Sequence, residues 1–217
     1  MRKIQFSNNQ YYHVYNRGVD KRDIFIDEKD YQKFLRNLKD FNNKSYYEQR
    51  ARVIEEKKEL SSFLEGFEKV VEVIAYSLAP NHFHLILKQL VDGGVSNFMH
   101  KTGTSFTNYF NKKYNRSGSL FQGTYKVIQI QNDNYLLWLS GYINGNIEIH
   151  KIEPAEFYKW ASFKNFLNGE RDGILGDIDI ILSQFKDRQD YKNFINRVIQ
   201  ESRSKKEMEK YLLEEII

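Results

Sequence analysis

Val70-Val71-Glu72-Val73-Ile74-Ala75-Tyr76-Ser77 and His82-Phe83-His84-Leu85-Ile86-Leu87-Lys88 are two runs of aliphatic, β-branched and aromatic residues separated by Leu78-Ala79-Pro80-Asn81. Strand formers on either side of a Pro-Asn turn signal predict two neighbouring β-strands. Within a strand, residues i and i+2 leave the same face ~6 to 7 Å apart. The imidazoles of His82 and His84 therefore emerge together, while Phe83 points into the opposite layer. Two imidazoles on one face can converge on a cation. Taken alone, the same triplet also reads as an exposed polar strand face.

Working outward, Gln10 to Tyr15 is rich in strand formers and ends at the turn signal Asn16-Arg17-Gly18. Asp27 can cap a helix through about Phe41, with Tyr31, Phe34, Leu35 and Leu38 at helical spacing. Asn42 to Glu68 is charged, contains Glu55-Glu56-Lys57-Lys58-Glu59, and reads as an insertion. Ser96 opens a helix to Lys112, and Ser119 to Gln131 reads as extended chain broken at Gly123. Asn132 or Asp133 can cap a further helix whose Tyr135, Trp138, Leu139 and Tyr142 share a face. From Ile178 the pattern is helical and charge-mixed, as expected of two helices packed on the main domain. The expected division is a domain over 1–168, with its insertion at about 42–68, and a helical C-terminal extension over 169–217.

The 217 residues include no cysteine, which excludes a disulfide scaffold, a zinc ribbon, an iron-sulfur site and a cysteine nucleophile. Any metal must be held by His, Asn, Gln or carboxylates. No apolar run approaches the ~18 residues of a membrane span, and the start lacks the apolar stretch of a signal peptide. The expectation is a cytoplasmic, nucleoid-associated protein with no membrane partner.

A net charge of +4 from 33 basic and 29 acidic residues says little, but its distribution says more. No acidic residue occurs from Gly93 to Asn132, where Lys101, Lys112, Lys113, Arg116 and Lys126 alternate with aromatics including Tyr125. Together with Arg17, these are the candidate nucleic-acid contacts, because cations track a phosphate backbone and aromatic rings stack on bases. The same stretch can equally be core aromatics with solvated lysines outside.

Tyr142 and Asn146 stand four residues apart, which on a continuous helix puts a phenol beside an amide oxygen. A phenol of pKa ~10 needs a base or a nearby cation to act as a nucleophile at neutral pH. By spacing alone, Tyr142 also continues the apolar stripe of Trp138 and Leu139.

Pro80-Asn81-His82-Phe83-His84-Leu85-Ile86-Leu87 resembles the His-hydrophobic-His strand of the single-tyrosine HUH transposases, in particular the REP-associated tyrosine transposases and related insertion-sequence enzymes. Three further segments fall in the matching order. They are His13-Val14-Tyr15-Asn16-Arg17-Gly18, then Arg116 to Lys126, then Tyr142-Ile143-Asn144-Gly145-Asn146. The resemblance spans about residues 8 to 165. It implies an α+β fold of ferredoxin-like or RRM-like type, an antiparallel sheet flanked by helices. It also implies a nucleophile at Tyr142 that attacks single-stranded DNA, stays linked to the 5′ side and leaves a free 3′ hydroxyl. Mg²⁺ or Mn²⁺ would be held by His82, His84 and Asn146. The implied partner is single-stranded DNA carrying a hairpin or palindromic repeat. Some such enzymes are homodimers whose tyrosine serves the partner's metal site, and others act alone.

This chain departs from the pattern where Ile147 replaces the family's proline. It departs again at Gly145, a residue type that often ends helices and so allows Asn146 to fall past the last turn. Two other readings stand beside transposition. One is an HUH endonuclease of replication-initiator or relaxase type. The other is a catalytically silent nucleic-acid-binding module. Formation of a covalent protein–DNA adduct separates the enzymes from the silent module.

Overall fold

The computed structural model describes residues 5–42, 69–170 and 172–214. The expected insertion therefore lies outside the described residues, apart from Asn42. At its base, Asn42 Oδ1 accepts hydrogen bonds from the backbone N–H groups of Val70 and Val71, at 3.2 and 3.0 Å. The chain thus leaves one helix and enters the next strand at a single pinned point.

The two runs around Pro80-Asn81 form strands β2, Val71–Ala79, and β3, His82–Gln89, paired antiparallel with Ala79 opposite His82. Leu78 and Ala79 remain in the ladder, so the connection is two residues rather than the four expected. Strand β1, Tyr11–Arg17, lies antiparallel to β3 with Tyr15 opposite His84 and Arg17 opposite His82. Its other edge pairs with β4, Lys126–Ile130, giving the order β2-β3-β1-β4. The fold is α+β, an antiparallel four-stranded sheet with helices on both faces, as expected.

Alternation along the strands divides the core in two. Tyr12, Val14, Phe83, Leu85 and Leu87 face helices α1, Glu28–Asp40, and α2, Gly94–Lys113, where Phe34, Phe98 and Phe106 are buried. Asp27 caps α1 as expected, accepting from Lys29 N and Asp30 N. Ile74, Ala75 and Ile86 face the other way, against α3, Asp133–Ile149, with Leu139, Ile143 and Ile147. Each such side chain, fully buried, contributes about 1.5 to 3 kcal/mol. His82 and His84 share the side of β3 that carries Ile86, so they look toward α3.

After α3 the chain runs back along the outer edge of β2. Leu78 N donates to Trp160 O, Ser162 N to Tyr76 O, and Gly176 N to Val73 O, which seals that edge. Helix α4, Phe163–Asn168, follows, and the helical tail resolves into a four-residue α5, Asp179–Leu182, and a long α6, Arg188–Glu214. Helix α6 lies against α3 where α3 offers glycines. A Cβ on Gly141 would stand 3.0 Å from Phe194, and one on Gly145 only 2.6 Å from Ile199. Gly145 therefore serves close helix packing and does not end the helix, which continues to Ile149. No helix among the described residues is long and apolar enough to cross a membrane.

Candidate active site

Because α3 persists past Gly145, Asn146 is fully buried and projects at the sheet. Its Oδ1 lies 3.1 Å from His82 Nε2. One turn earlier, the Tyr142 ring meets the His84 ring edge to face at 5.9 Å between centroids. The two histidine rings are 5.1 Å apart. Strand β3 thus presents its imidazole pair to the phenol and amide of α3 within one chain.

Each histidine has a second partner. Asn81 Oδ1 is 2.6 Å from His82 Nδ1, and Asn81 Nδ2 donates to Lys21 O at 3.1 Å. His13, on the adjacent strand, brings Nε2 to 2.9 Å from His84 Nδ1 and stacks its ring on both His84 and Tyr15. The C-cap of α3, His150, sets its ring 5.1 Å from His82. Trp138 stacks on Tyr142 at 5.3 Å and is 37% exposed.

Burial raises the Tyr142 phenol above its ordinary pKa. The phenol is therefore protonated at neutral pH. Burial also lowers His13 to about 4, so its imidazole is neutral. Two buried atoms, His13 Nδ1 and Asn146 Nδ2, have no hydrogen-bond partner.

Among the described residues, no group of three or more His, Cys, Asp or Glu is arranged to hold a metal. The set that does converge is two imidazoles and one amide oxygen. It contains no carboxylate, so a divalent ion there would keep its full charge for the oxygens of a bound phosphate. His82 Nε2 and Asn146 Oδ1 facing each other, with the amide nitrogen orphaned, fit such an ion.

Comparison with known proteins finds similarity over part of the chain. Residues 45–146, a span that includes His82, His84, Tyr142 and Asn146, match the family model described as "Transposase IS200 like". Over that span the chain is similar to the IS200-like transposases. Among solved structures it is similar to one titled "Structure of the REP associates tyrosine transposase bound to a REP hairpin", at 14% identity and a TM-score of 0.55, over 82% of this chain and 92% of that one. At that identity the likeness is one of fold. No curated protein matches the chain.

Around this site, Arg17 and Lys126 line a cleft of about 650 Å³ together with His82, His84 and His150. Arg17 Nε donates to Gln122 Oε1 at 2.7 Å, and Lys126 Nζ lies 6.0 Å from the centre of the Tyr15 ring. Tyr142 lines a neighbouring hollow of about 550 Å³, which shares Tyr15 and His84 with the cleft and also includes Lys205 of α6. The other expected contacts sit elsewhere. Tyr125 borders a cavity on the opposite face of the sheet, beside Phe34 and Phe83. Lys112 is exposed on α2, and Lys101 is half-buried there. Lys113 is bound to Asp27 and Asp30, both at 2.6 Å. Arg116 donates to Asn111 Oδ1 and Ser119 O, holding the loop after α2.

The sequence reading did not assign His13, Asn81, His150 or Trp138 a place in the site. Asn81 adjoins the histidine triplet, but its role needs the approach of Lys21 O, and that of His13 needs the register of β1 on β3.

Proposed function

We propose that this chain cuts and rejoins single-stranded DNA through a covalent tyrosine intermediate, as a transposase. The observation that carries the reading is the approach of Asn146 Oδ1 to His82 Nε2 while Tyr142 packs on His84. His82 and Asn146, 64 positions apart in sequence, meet there, and each has a role in phosphoryl transfer. The hairpin in the structural relative's title supports hairpin DNA as the form of substrate.

In this mechanism Arg17 and Lys126 hold the DNA backbone in the cleft beside the histidines. Lys101, Lys112 and Tyr125 extend the binding surface, while Lys113 and Arg116 act mainly by shaping α2 and its loop. Tyr142 Oη attacks the scissile phosphorus in line, forming an O–P bond as the bond from phosphorus to the 3′ oxygen breaks. The phenolic proton is lost and the departing 3′ oxygen is protonated, leaving a 5′-phosphotyrosine and a 3′ hydroxyl. Rejoining reverses the step with another 3′ hydroxyl. His82, His84 and Asn146 would hold Mg²⁺ or Mn²⁺, which supplies Lewis-acid polarisation of the phosphate. The remaining work belongs to the protein: Trp138 and His84 fix the phenol between two rings, and the buried flank of α3 sets its distance from the strand.

The test is to incubate the full chain with Mn²⁺ and single-stranded DNA bearing a palindromic hairpin. A nucleotide adduct on the peptide containing Tyr142 supports the mechanism. An adduct on another tyrosine, or cleavage with no adduct, overturns it.

A further inference from the structure

Resting on the reading of His82 and His84 as metal ligands, we propose that Asn81 and His13 are positioning residues that select the ring tautomers of those histidines, Asn81 as a fixed lock and His13 as a switch. A neutral imidazole can ligate a cation only through the nitrogen that carries no proton. The partner of the other nitrogen decides which one that is.

For His82 the choice is made by geometry. Asn81 Nδ2 donates to Lys21 O, a carbonyl that can only accept, and this fixes which way the amide faces. Its Oδ1 therefore faces His82 Nδ1, at 2.6 Å. An amide oxygen accepts, so His82 Nδ1 carries the proton and Nε2 presents a lone pair toward Asn146 Oδ1 at 3.1 Å. Two lone pairs in opposition, beside a buried Asn146 Nδ2 with no partner, call for something electropositive between them.

For His84 the partner is ambiguous, because either ring of the His13–His84 pair can donate across the 2.9 Å contact. The atom that breaks the tie is His13 Nδ1, buried and without a partner. If His13 donates from Nε2, its Nδ1 is a bare acceptor, but the His84 proton then sits on Nε2, the nitrogen needed for the metal. If His84 donates from Nδ1, its Nε2 is ready to ligate. The His13 proton must then occupy Nδ1 as a buried donor with nothing to receive it, which is the costlier orphan. The first arrangement therefore holds without a cation. Coordination through His84 Nε2 drives the second. Both rings shift their proton from Nε2 to Nδ1 by exchange with solvent, each stays neutral with one proton, and nothing is oxidised or reduced.

Long-range ¹H–¹⁵N NMR of the histidine-labelled full chain reads this directly. Without metal, His82 should be protonated at Nδ1 and His84 at Nε2. Saturating Mg²⁺ should leave His82 unchanged and move the His84 proton to Nδ1. Calorimetry with Mn²⁺ supplies the second arm. His13→Phe should weaken binding by about 10- to 100-fold. His13→Gln, whose amide oxygen accepts from His84 Nδ1 without burying a ring N–H, should bind at least as tightly as wild type. Asn81→Ala should weaken binding over the same range, and Asn81→Asp should not. Should the Phe variant fail to fold, the wild-type spectra and the Gln variant decide. His84 already protonated at Nδ1 without metal, or Mn²⁺ affinity unchanged in a folded His13→Phe, overturns the proposal and leaves the metal reading standing. A wild-type chain that binds no Mn²⁺ overturns both.

Discussion

Lys113 Nζ lies 2.6 Å from Asp30, a carboxylate with no exposure to solvent. Tyr109 and Tyr114 donate to the same carboxylate, at 3.1 and 2.8 Å, and the N–H groups of Ile26 and Asp27 close the ring. Burial works to raise the Asp30 pKa, but hydrogen bonds led by that from Lys113 outweigh it and hold the group below the ordinary value. Lys113→Ala strands this charge and should destabilise the fold by about 3 kcal/mol, the scale for breaking a buried pair. Because the folded pKa is depressed, the stabilisation is complete above the unfolded value of ~3.9 and fades as pH falls through the folded one. Urea melts of wild type and Lys113→Ala should therefore differ at neutral pH and converge in acid. Equal stability at pH 7 would remove this carboxylate from the account of the fold.

Lys112, the neighbour of Lys113, points to solvent. Lys112→Ala should leave the melting curve within ~0.5 kcal/mol of wild type. If its charge touches DNA, affinity should fall and the salt dependence should become shallower by roughly 0.7 log units per decade. Arg17→Ala and Lys126→Ala, in the cleft beside the histidines, should each do the same. Identical salt slopes in all three would move the DNA track off this surface.

Tyr142→Phe removes one oxygen and keeps the stack on Trp138. Folding and hairpin binding should be unchanged while cleavage and the covalent adduct disappear. Tyr135→Phe, two turns earlier on α3, is the control and should remain active. Burial keeps the phenol protonated at neutral pH, so cleavage by the wild type should rise with pH above neutrality as the phenolate becomes accessible. A flat profile across ~pH 7 to 9 would mean that deprotonation of the phenol does not limit the rate.

Gly145→Ala places a methyl 2.6 Å from Ile199. Overpacking of this kind costs about 1 to 3 kcal/mol and should shift Asn146 on α3. A second substitution, Ile199→Ala, makes room on α6, so the double variant should lose less than the sum of the two singles. Strict additivity would show that the helices do not meet as described.

Much of the fold was legible because its signals are local. Asp27 as a cap, the alternation around Phe83 and the stripe on α3 all declare themselves within a few residues. What could not be read depends on partners far away. Gly145 resembles a helix stop until Ile199 is seen against it, and Lys113 resembles a DNA contact until Asp30 is found 83 residues earlier in the chain. His13 shows the same limit, since only the register that puts Tyr15 opposite His84 brings its ring within reach.

The close seating of α6 on α3 also bears on how many copies of the chain one cut strand requires. A tyrosine lent to a second copy must travel with its helix. Helix α3 could depart only by uncovering Ile143, Ile147, Ile195 and Ile199, which share one buried cluster. Returning four such side chains to water costs roughly 6 to 12 kcal/mol, comparable with the stability of an entire domain. On the proposed chemistry, each copy is therefore expected to keep its own tyrosine, with any exchange between two broken ends left to the flexible DNA; cleavage by a mixture of Tyr142→Phe and His82→Ala chains, each inactive alone, would instead show the tyrosine crossing between copies.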